Sequence, residues 1–269
     1  MTHWDIHADV LAGLALFGAA YLWGIGWLRR DSSADGVEAW RIALFFAGLG
    51  TIFVALNGPI HDLSDRSLVS VHMLQHLLLT LVAPPLLLLG VPGRLLAPAL
   101  RSAAIRTIGR RLTRPLPALA IFTVVFTAWH LPVLYELALR HHGLHILEHL
   151  LLMAAAVLLW WPVLSPLPEW PRLPPPAQLL YLFVAGIPMV PVAAFITLTD
   201  RILYPSYGEA PWQWGLSPLA DQRLGGVLMW IGGPLVFLTA MTIVYFRWMG
   251  RDAEPAVEAP ARGGAHGTP

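Results

Sequence analysis

Residues 67–93 read SLVSVHMLQHLLLTLVAPPLLLLGVPG, and this stretch decides the fold class of the chain. It has no Asp, Glu, Arg or Lys, and it is longer than the roughly 20 apolar residues that a helix needs to cross a bilayer. Because a bilayer has no water to satisfy backbone amides, a spanning segment must be helical or belong to a closed barrel. Continuous apolarity, without the alternation of barrel strands, favours a transmembrane helix.

The composition of the whole chain agrees with a membrane protein. Of its 269 residues, 57% are hydrophobic and 12% are charged, against a charged share of roughly 25% in an average globular protein. Such a chain cannot cover a soluble core with polar surface, and it is too apolar to be a disordered protein. The net charge of +1 gives no basis for nucleic-acid binding, and the absence of Cys excludes disulfides and thiolate metal sites.

Seven stretches without Asp, Glu or Arg are long enough to span a membrane. We therefore predict an all-α, polytopic membrane protein with seven transmembrane helices within residues 1–249. Residues 250–269 are rich in Pro and Gly and are predicted to form a disordered cytoplasmic tail. The predicted spans are Val10–Leu28, Ile42–His61, Ser67–Gly93, Pro115–Tyr135, His149–Pro168 (with a start near Leu144), Leu173–Thr199 and Leu224–Phe246.

The placement of the arginines predicts the orientation of these helices, because short cytoplasmic loops are enriched in basic residues. All 17 basic residues are Arg; 13 fall in one alternating set of connecting segments and four in the other. The first set is expected to be cytoplasmic, which places the N-terminus outside and the C-terminus inside. Residues 94–114 carry six of these Arg, a density that suits either a segment resting on anionic lipid headgroups or an ordinary cytoplasmic loop.

Histidines concentrate at the opposite, outer end of the predicted bundle, where ten of the 11 lie. His72 and His76 are four residues apart, as are His145 and His149, and this spacing puts each pair on one helical face. His130, near the outer end of the fourth predicted span, reaches a similar depth. Five imidazoles from three helices are therefore expected to lie within reach of one another.

Two interpretations of these histidines stay open. A single His at a membrane interface often only hydrogen-bonds to a neighbouring helix, whereas ionisable groups inside a membrane tend to mark functional sites. Imidazole is a common ligand of copper, zinc and haem iron. We predict an outward-facing metal site formed by His72, His76, His130, His145 and His149. Supporting side chains are expected from Met73, Met153, Glu148, Asp221 and Met229, although Asp221 is equally suited to be a helix N-cap.

Other chemistries have weaker signals. The segment His145-Ile-Leu-Glu148-His149 matches the H-x-x-E-H pattern of inverted zinc proteases, but so short a pattern arises easily by chance in a His-rich chain. An intramembrane metalloprotease is kept as an alternative. There is no Walker loop or nucleotide fingerprint, and no carboxylate or Arg deep in a predicted span as proton-coupled transport would need.

Four segments together resemble one protein family: HMLQHLLLTLVAPPLLLLGVP from residue 72, AWHLPVLYELAL from residue 128, LHILEHLLLMAAAVLLWWPV from residue 144 and DQRLGGVLMW from residue 221. The combination is similar to the bacterial CtaG-type cytochrome c oxidase assembly factors linked to caa3-type oxidases, over about residues 8–249. The matching positions are His72, Met73, Gln75, His76, Trp129, His130, Pro132, His145, Glu148, His149, Asp221 and Gln222.

The resemblance implies a multi-pass protein of the bacterial plasma membrane that is required to form active haem–copper oxidase. It implies a role without catalysis, in which copper is bound or handed over through the His cluster. The implied partner is an oxidase subunit or its copper chaperone. A metal-free scaffold for an oxidase subunit, and a copper or haem transporter, are the alternatives.

Overall fold

The computed structural model describes residues 7–30 and 37–252, which form helices and short connections with no strand among them. Six helical segments of this part of the chain are long and apolar enough to cross a membrane. A seventh is present if the bent helix pair Ala103–Leu112 and Pro115–His130 counts as one span. The all-α prediction is confirmed, and the predicted number of spans holds to within one; the orientation of the termini stays a prediction.

Thirteen α-helices occur in the described residues: α1 (Ala8–Arg30), α2 (Ala39–Leu56), α3 (Gly58–Arg66), α4 (Val69–Leu77), α5 (Ala83–Gly90), α6 (Gly93–Leu96), α7 (Ala103–Leu112), α8 (Pro115–His130), α9 (Pro132–Arg140), α10 (His142–Leu164), α11 (Pro175–Gly186), α12 (Met189–Leu198) and α13 (Pro218–Asp252). A π-helical turn at Leu78–Val82 joins α4 to α5. Helix α13 continues to Asp252, and the rest of the predicted disordered tail, residues 253–269, lies outside the described residues.

Two predicted spans are each interrupted by a residue with extended backbone, Asn57 or Leu131. Pro132 has no N–H and disfavours helical backbone at Leu131, so α8 ends at His130 and α9 begins at Pro132. The predicted span Pro115–Tyr135 is therefore not one continuous helix, and α8 has only 16 residues. The predicted span Ile42–His61 likewise breaks at Asn57, because Gly58 has φ 63°, a left-handed conformation that favours glycine.

The long helix that carries His72 and His76 changes its winding just before two prolines. Pro84 cannot donate a backbone hydrogen bond, so the carbonyl of Thr80, one turn earlier, lacks its helical partner. The indole Nε1 of Trp160, on α10, donates to this carbonyl at 3.1 Å. The π-helical turn accommodates the hydrogen bond that is missing from the helix, and such turns are common near functional sites. The bond from Trp160 therefore joins α10 to the turn between α4 and α5.

Helix packing makes α4, α5 and α10 the centre of the bundle. Helix α13 packs on α4, α11 and α12, while α10 packs on α5 and α8 and α2 packs on α5. Small residues allow the closest approaches: a Cβ added at Gly90 would lie 2.5 Å from the backbone nitrogen of Phe45. Helix α1 packs at the edge, where Tyr21 stacks on Phe45 with ring centroids 3.7 Å apart. Four of the five predicted ligand residues are thus carried by α4 and α10, two of these central helices.

Candidate metal centre

The five histidines that the sequence singled out lie together at one end of the bundle. His72 and His76 are on α4, His130 is the last residue of α8, and His145 and His149 are in the first two turns of α10. All five side chains are buried. Neighbouring rings among them have centroid separations between 4.3 and 6.1 Å.

Within this cluster, four residues have the geometry of a metal site. His72, His145, Glu148 and His149 each offer one ligand atom, and these four atoms all lie within 4.8 Å of one another. Residues 145, 148 and 149 share one face of α10 because they are spaced by three and four positions. Glu148 was expected to support the site, and its carboxylate lies among the four candidate ligand atoms.

This group contains buried polar atoms that have no hydrogen-bond partner. The Nε2 atoms of His145 and His149 and both carboxylate oxygens of Glu148 are buried and form no hydrogen bond. Glu148 Oε1 is 3.5 Å from His76 Nε2, without hydrogen-bond geometry. A buried polar group left without a partner is costly, so native proteins nearly always satisfy such atoms. A bound cation would give a partner to unpaired atoms of His145, Glu148 and His149, so the residues present fit a metal ion.

The Nδ1 atoms of two of these histidines lie next to polar groups, hydrogen-bonded in His72 and at a longer distance in His145. His72 Nδ1 is 3.0 Å from the hydroxyl of Tyr207 and 3.2 Å from the carbonyl oxygen of Ser64. His145 Nδ1 is 3.6 Å from Asp65 Oδ1. Metal-ligating histidines are typically oriented in this way, through a second contact on the other nitrogen. The Nε2 atom of His145 is thus left without a hydrogen-bond partner, whereas Nε2 of His72 also contacts His76.

His76 and His130 extend the cluster away from the four-residue group. His72 Nε2 is 2.9 Å from His76 Nε2, and His76 Nδ1 is 3.4 Å from His130 Nε2. His130 Nδ1 is 2.6 Å from the carbonyl oxygen of Phe126. These two imidazoles thus already have partners within the protein. The sequence predicted them as ligands on a par with the others, and the structure places them beside the group that is best arranged for a metal.

Three buried tyrosines surround the cluster, and the sequence reasoning missed them. Tyr207 donates to the carbonyl of Ser64 at 2.7 Å and is 2.9 Å from the hydroxyl of Tyr135. Tyr204 donates to the carbonyl of His130, at the end of α8, at 2.9 Å. Burial raises the pKa of Tyr207, so its hydroxyl stays protonated and remains a donor. Tyr204 and Tyr207 lie in a connection outside the predicted spans, where no periodic pattern marks them.

Asp221 acts as a cap, but for a different helix from its own. Its carboxylate lies in the first turn of α13 and accepts hydrogen bonds from Val69 N at 2.6 Å, Ser70 N at 3.3 Å and the Ser70 hydroxyl. It therefore satisfies amides at the start of α4 and complements the positive end of that helix. The next residue, Gln222, accepts from Leu203 N at 2.7 Å and so secures the tyrosine-bearing connection. Both residues position the site from outside it.

The methionines that were expected to support the site lie in apolar surroundings. Met73 and Met229 are buried in the main hydrophobic core, and Met153 is half-buried. Met73 packs where α4 approaches Gly225 of α13, since its Cγ would be 3.1 Å from a Cβ added there. A thioether ligand to the metal stays a prediction.

A second group of polar residues lies between the cluster and the surface, on α3 and the start of α1. The ring centroids of His7 and His61 are 4.3 Å apart, and His61 Nε2 is 3.5 Å from Asp65 Oδ2. Burial lowers the pKa of His61 to about 4, with a smaller contribution from His7, so its imidazole is neutral at pH 7. Burial raises the pKa of Asp65 to about 6, which leaves it mostly ionised at that pH.

The fold and the site together define a class: an α-helical protein with six or seven helices of membrane-spanning length and a buried imidazole–carboxylate cluster at one end. The chain belongs to the cytochrome c oxidase caa3 assembly factor (Caa3_CtaG) family, whose model matches residues 19–251. The resemblance found in the four sequence motifs is thereby confirmed.

Curated relatives carry no further functional description. Uncharacterized proteins of Mycobacterium bovis and Mycobacterium tuberculosis are each 23% identical over 279 aligned residues, and one of Mycobacterium leprae is 23% identical over 277. The alignments cover 95% of this chain but 41% of each relative, so the chain spans about two fifths of the length of the curated relatives it matches. No solved structure matches the chain.

Proposed function

We propose that this protein is a non-enzymatic assembly factor of the bacterial plasma membrane that binds copper as cargo and passes it to a subunit of a haem–copper oxidase or to its copper chaperone. The buried ligands are His72, His145, Glu148 and His149. The observation that carries the proposal is the set of unpaired, buried nitrogen and oxygen atoms in this group. Membership of the assembly factor family is the reason for proposing an oxidase as the recipient.

The donor set favours one oxidation state of the metal. Three imidazole nitrogens and a carboxylate oxygen suit Cu(II) and Zn(II), whereas Cu(I) prefers the sulfur of Cys or Met. The chain has no Cys, and among divalent ions of the first transition row Cu(II) binds most tightly to such sites. We therefore expect Cu(II). The arginine-rich connections are expected on the cytoplasmic side of the membrane, which places the His cluster on the outer side.

The test is the copper content of the detergent-purified full chain, compared with that of His149→Ala and of the matched control His141→Ala, whose residue is exposed. We expect about one tightly bound copper per chain in the unmutated protein and in the control, and background copper in His149→Ala. Electron paramagnetic resonance should show Cu(II) with nitrogen ligands. Background copper in the unmutated protein after loading would overturn the metal proposal.

A second function, a metal-free scaffold for an oxidase subunit, is favoured by the His72–His76–His130 chain, whose ring nitrogens find partners inside the protein. The two functions differ in cells that lack the native gene. If copper handling is the function, His149→Ala fails to restore oxidase activity although the protein accumulates normally. A scaffold predicts full restoration by the same variant.

A further inference from the structure

A continuous path of metal-ligating side chains leads from the surface to the buried group. It begins at His7, which is half-buried, and continues to His61 and Asp65. The backbone N–H of His7 donates to Asn57 Oδ1 at 3.0 Å, which fixes the start of α1 against the beginning of α3. The first element of the path is therefore held in place by the fold.

Asp65 connects this outer group to the buried one. Its two oxygens contact different histidines: Oδ2 lies 3.5 Å from His61 Nε2, and Oδ1 lies 3.6 Å from His145 Nδ1. The rings of His61 and His145 are nearly parallel, with centroids 6.1 Å apart. Successive side chains along the path are therefore in contact: the rings of His7 and His61 are 4.3 Å apart, and the ligand atoms that follow are 3.5 and 3.6 Å apart.

We propose that His7, His61 and Asp65 form a second, outward-facing metal site that captures a divalent copper ion and loads it into the buried group. Two imidazoles and one carboxylate are ligands that suit this ion. Loading is a ligand exchange: bonds to the outer nitrogens break, bonds to the buried group form, and Asp65 contacts both sides. The oxidation state of the metal does not change. The inference rests on the proposed copper function and adds the route to it.

The test measures the rate of copper uptake separately from the final copper content. The full chain in detergent is mixed with Cu(II)–glycine in a stopped-flow instrument, and quenching of tryptophan fluorescence gives the rate. The variant is His7→Ala/His61→Ala, which spares Asp65 because that residue also orients His145. The control is His141→Ala, an exposed histidine at the same end of the molecule. Circular dichroism and gel filtration check that each variant is folded.

We expect the double variant to load about tenfold more slowly or worse, because it lacks the two imidazole ligands that would first hold the ion. It should also lose a weakly held second copper that the unmutated protein binds at excess, yet reach the same content of tightly bound copper. The control should match the unmutated protein. The single variant His61→Gln, which disturbs packing less, should show the same slowing.

Three outcomes would overturn the inference, and they are distinguishable. Equal loading rates in folded variants would show that the outer residues are not on the route. Loss of the tightly bound copper in the double variant would make these residues part of the buried site and not a loading site. Absence of copper uptake by the unmutated protein would reject the proposed function itself, and the loading site with it.

Discussion

Two apolar helical segments of this protein have opposite relations to their surroundings. In the most apolar window of Val69–Gly90, 61% of the residues are buried inside the protein, whereas the share for Ala8–Arg30 is 17%. The two have similar mean hydropathy, 1.7 and 1.6. Hydropathy therefore places a helix in the membrane but does not say whether its neighbours are lipid or protein. Polar ligand residues are tolerated only on helices that face protein, because a charged or polar group that faces lipid has no partner and is destabilising.

The largest effect should come from the central helices, at Glu148. The change Glu148→Gln removes the only carboxylate of the buried four-residue group. We expect Cu(II) affinity to fall by about a hundredfold or more, because losing even a group that only contacts a metal ligand lowers affinity by about 10- to 100-fold. Without metal, the variant should be at least as stable as the unmutated protein, because a buried carboxylate with no partner is replaced by an uncharged amide.

Competition titration with a copper chelator and thermal unfolding of the metal-free protein measure the two quantities. Glu169→Gln, at an exposed position outside the site, is the matched control and should leave both unchanged. Unaltered affinity in Glu148→Gln would exclude the carboxylate as a ligand.

An intermediate effect is expected where a buried residue of a neighbouring helix supports a central helix. Asp221→Ala leaves the amides of Val69 and Ser70 without their acceptor at the start of α4, which should lower the free energy of unfolding by about 1–2 kcal/mol. Asp200→Ala is the control, because its ion pair with Arg223 is exposed and such pairs contribute little. Denaturant titration in detergent compares them; equal losses would mean that the cap on α4 adds no stability.

The smallest effect is expected in the lipid-facing helix. Leu16 of α1 is 70% exposed, so Leu16→Ala should change the free energy of unfolding by less than about 0.5 kcal/mol. The same titration serves for this variant. A loss as large as that of Asp221→Ala would show that the exposed face of α1 is packed against a further protein surface, and the contrast between the two segments would then disappear.

Much of the site was accessible from the sequence, for a simple reason. His145, Glu148 and His149 fall on one face of a helix through spacing alone, and His72 and His76 do the same on another helix. The four-residue group itself was not accessible. Whether His72 or His76 joins α10 depends on how the two helices are rotated and how closely they approach, and those quantities come from packing and not from periodicity.

The local sequence determined the helical class, the end of the bundle at which histidines collect and the helix break at Pro132. Each of these follows from interactions within a turn or two of helix, or from the requirement that backbone amides inside a bilayer be hydrogen-bonded within the protein. Only the tertiary structure assigned Asp221 to the start of α4 and Tyr207 to His72. The two contacts join residues that are 152 and 135 positions apart in the sequence, and only folding determines which distant segments become neighbours.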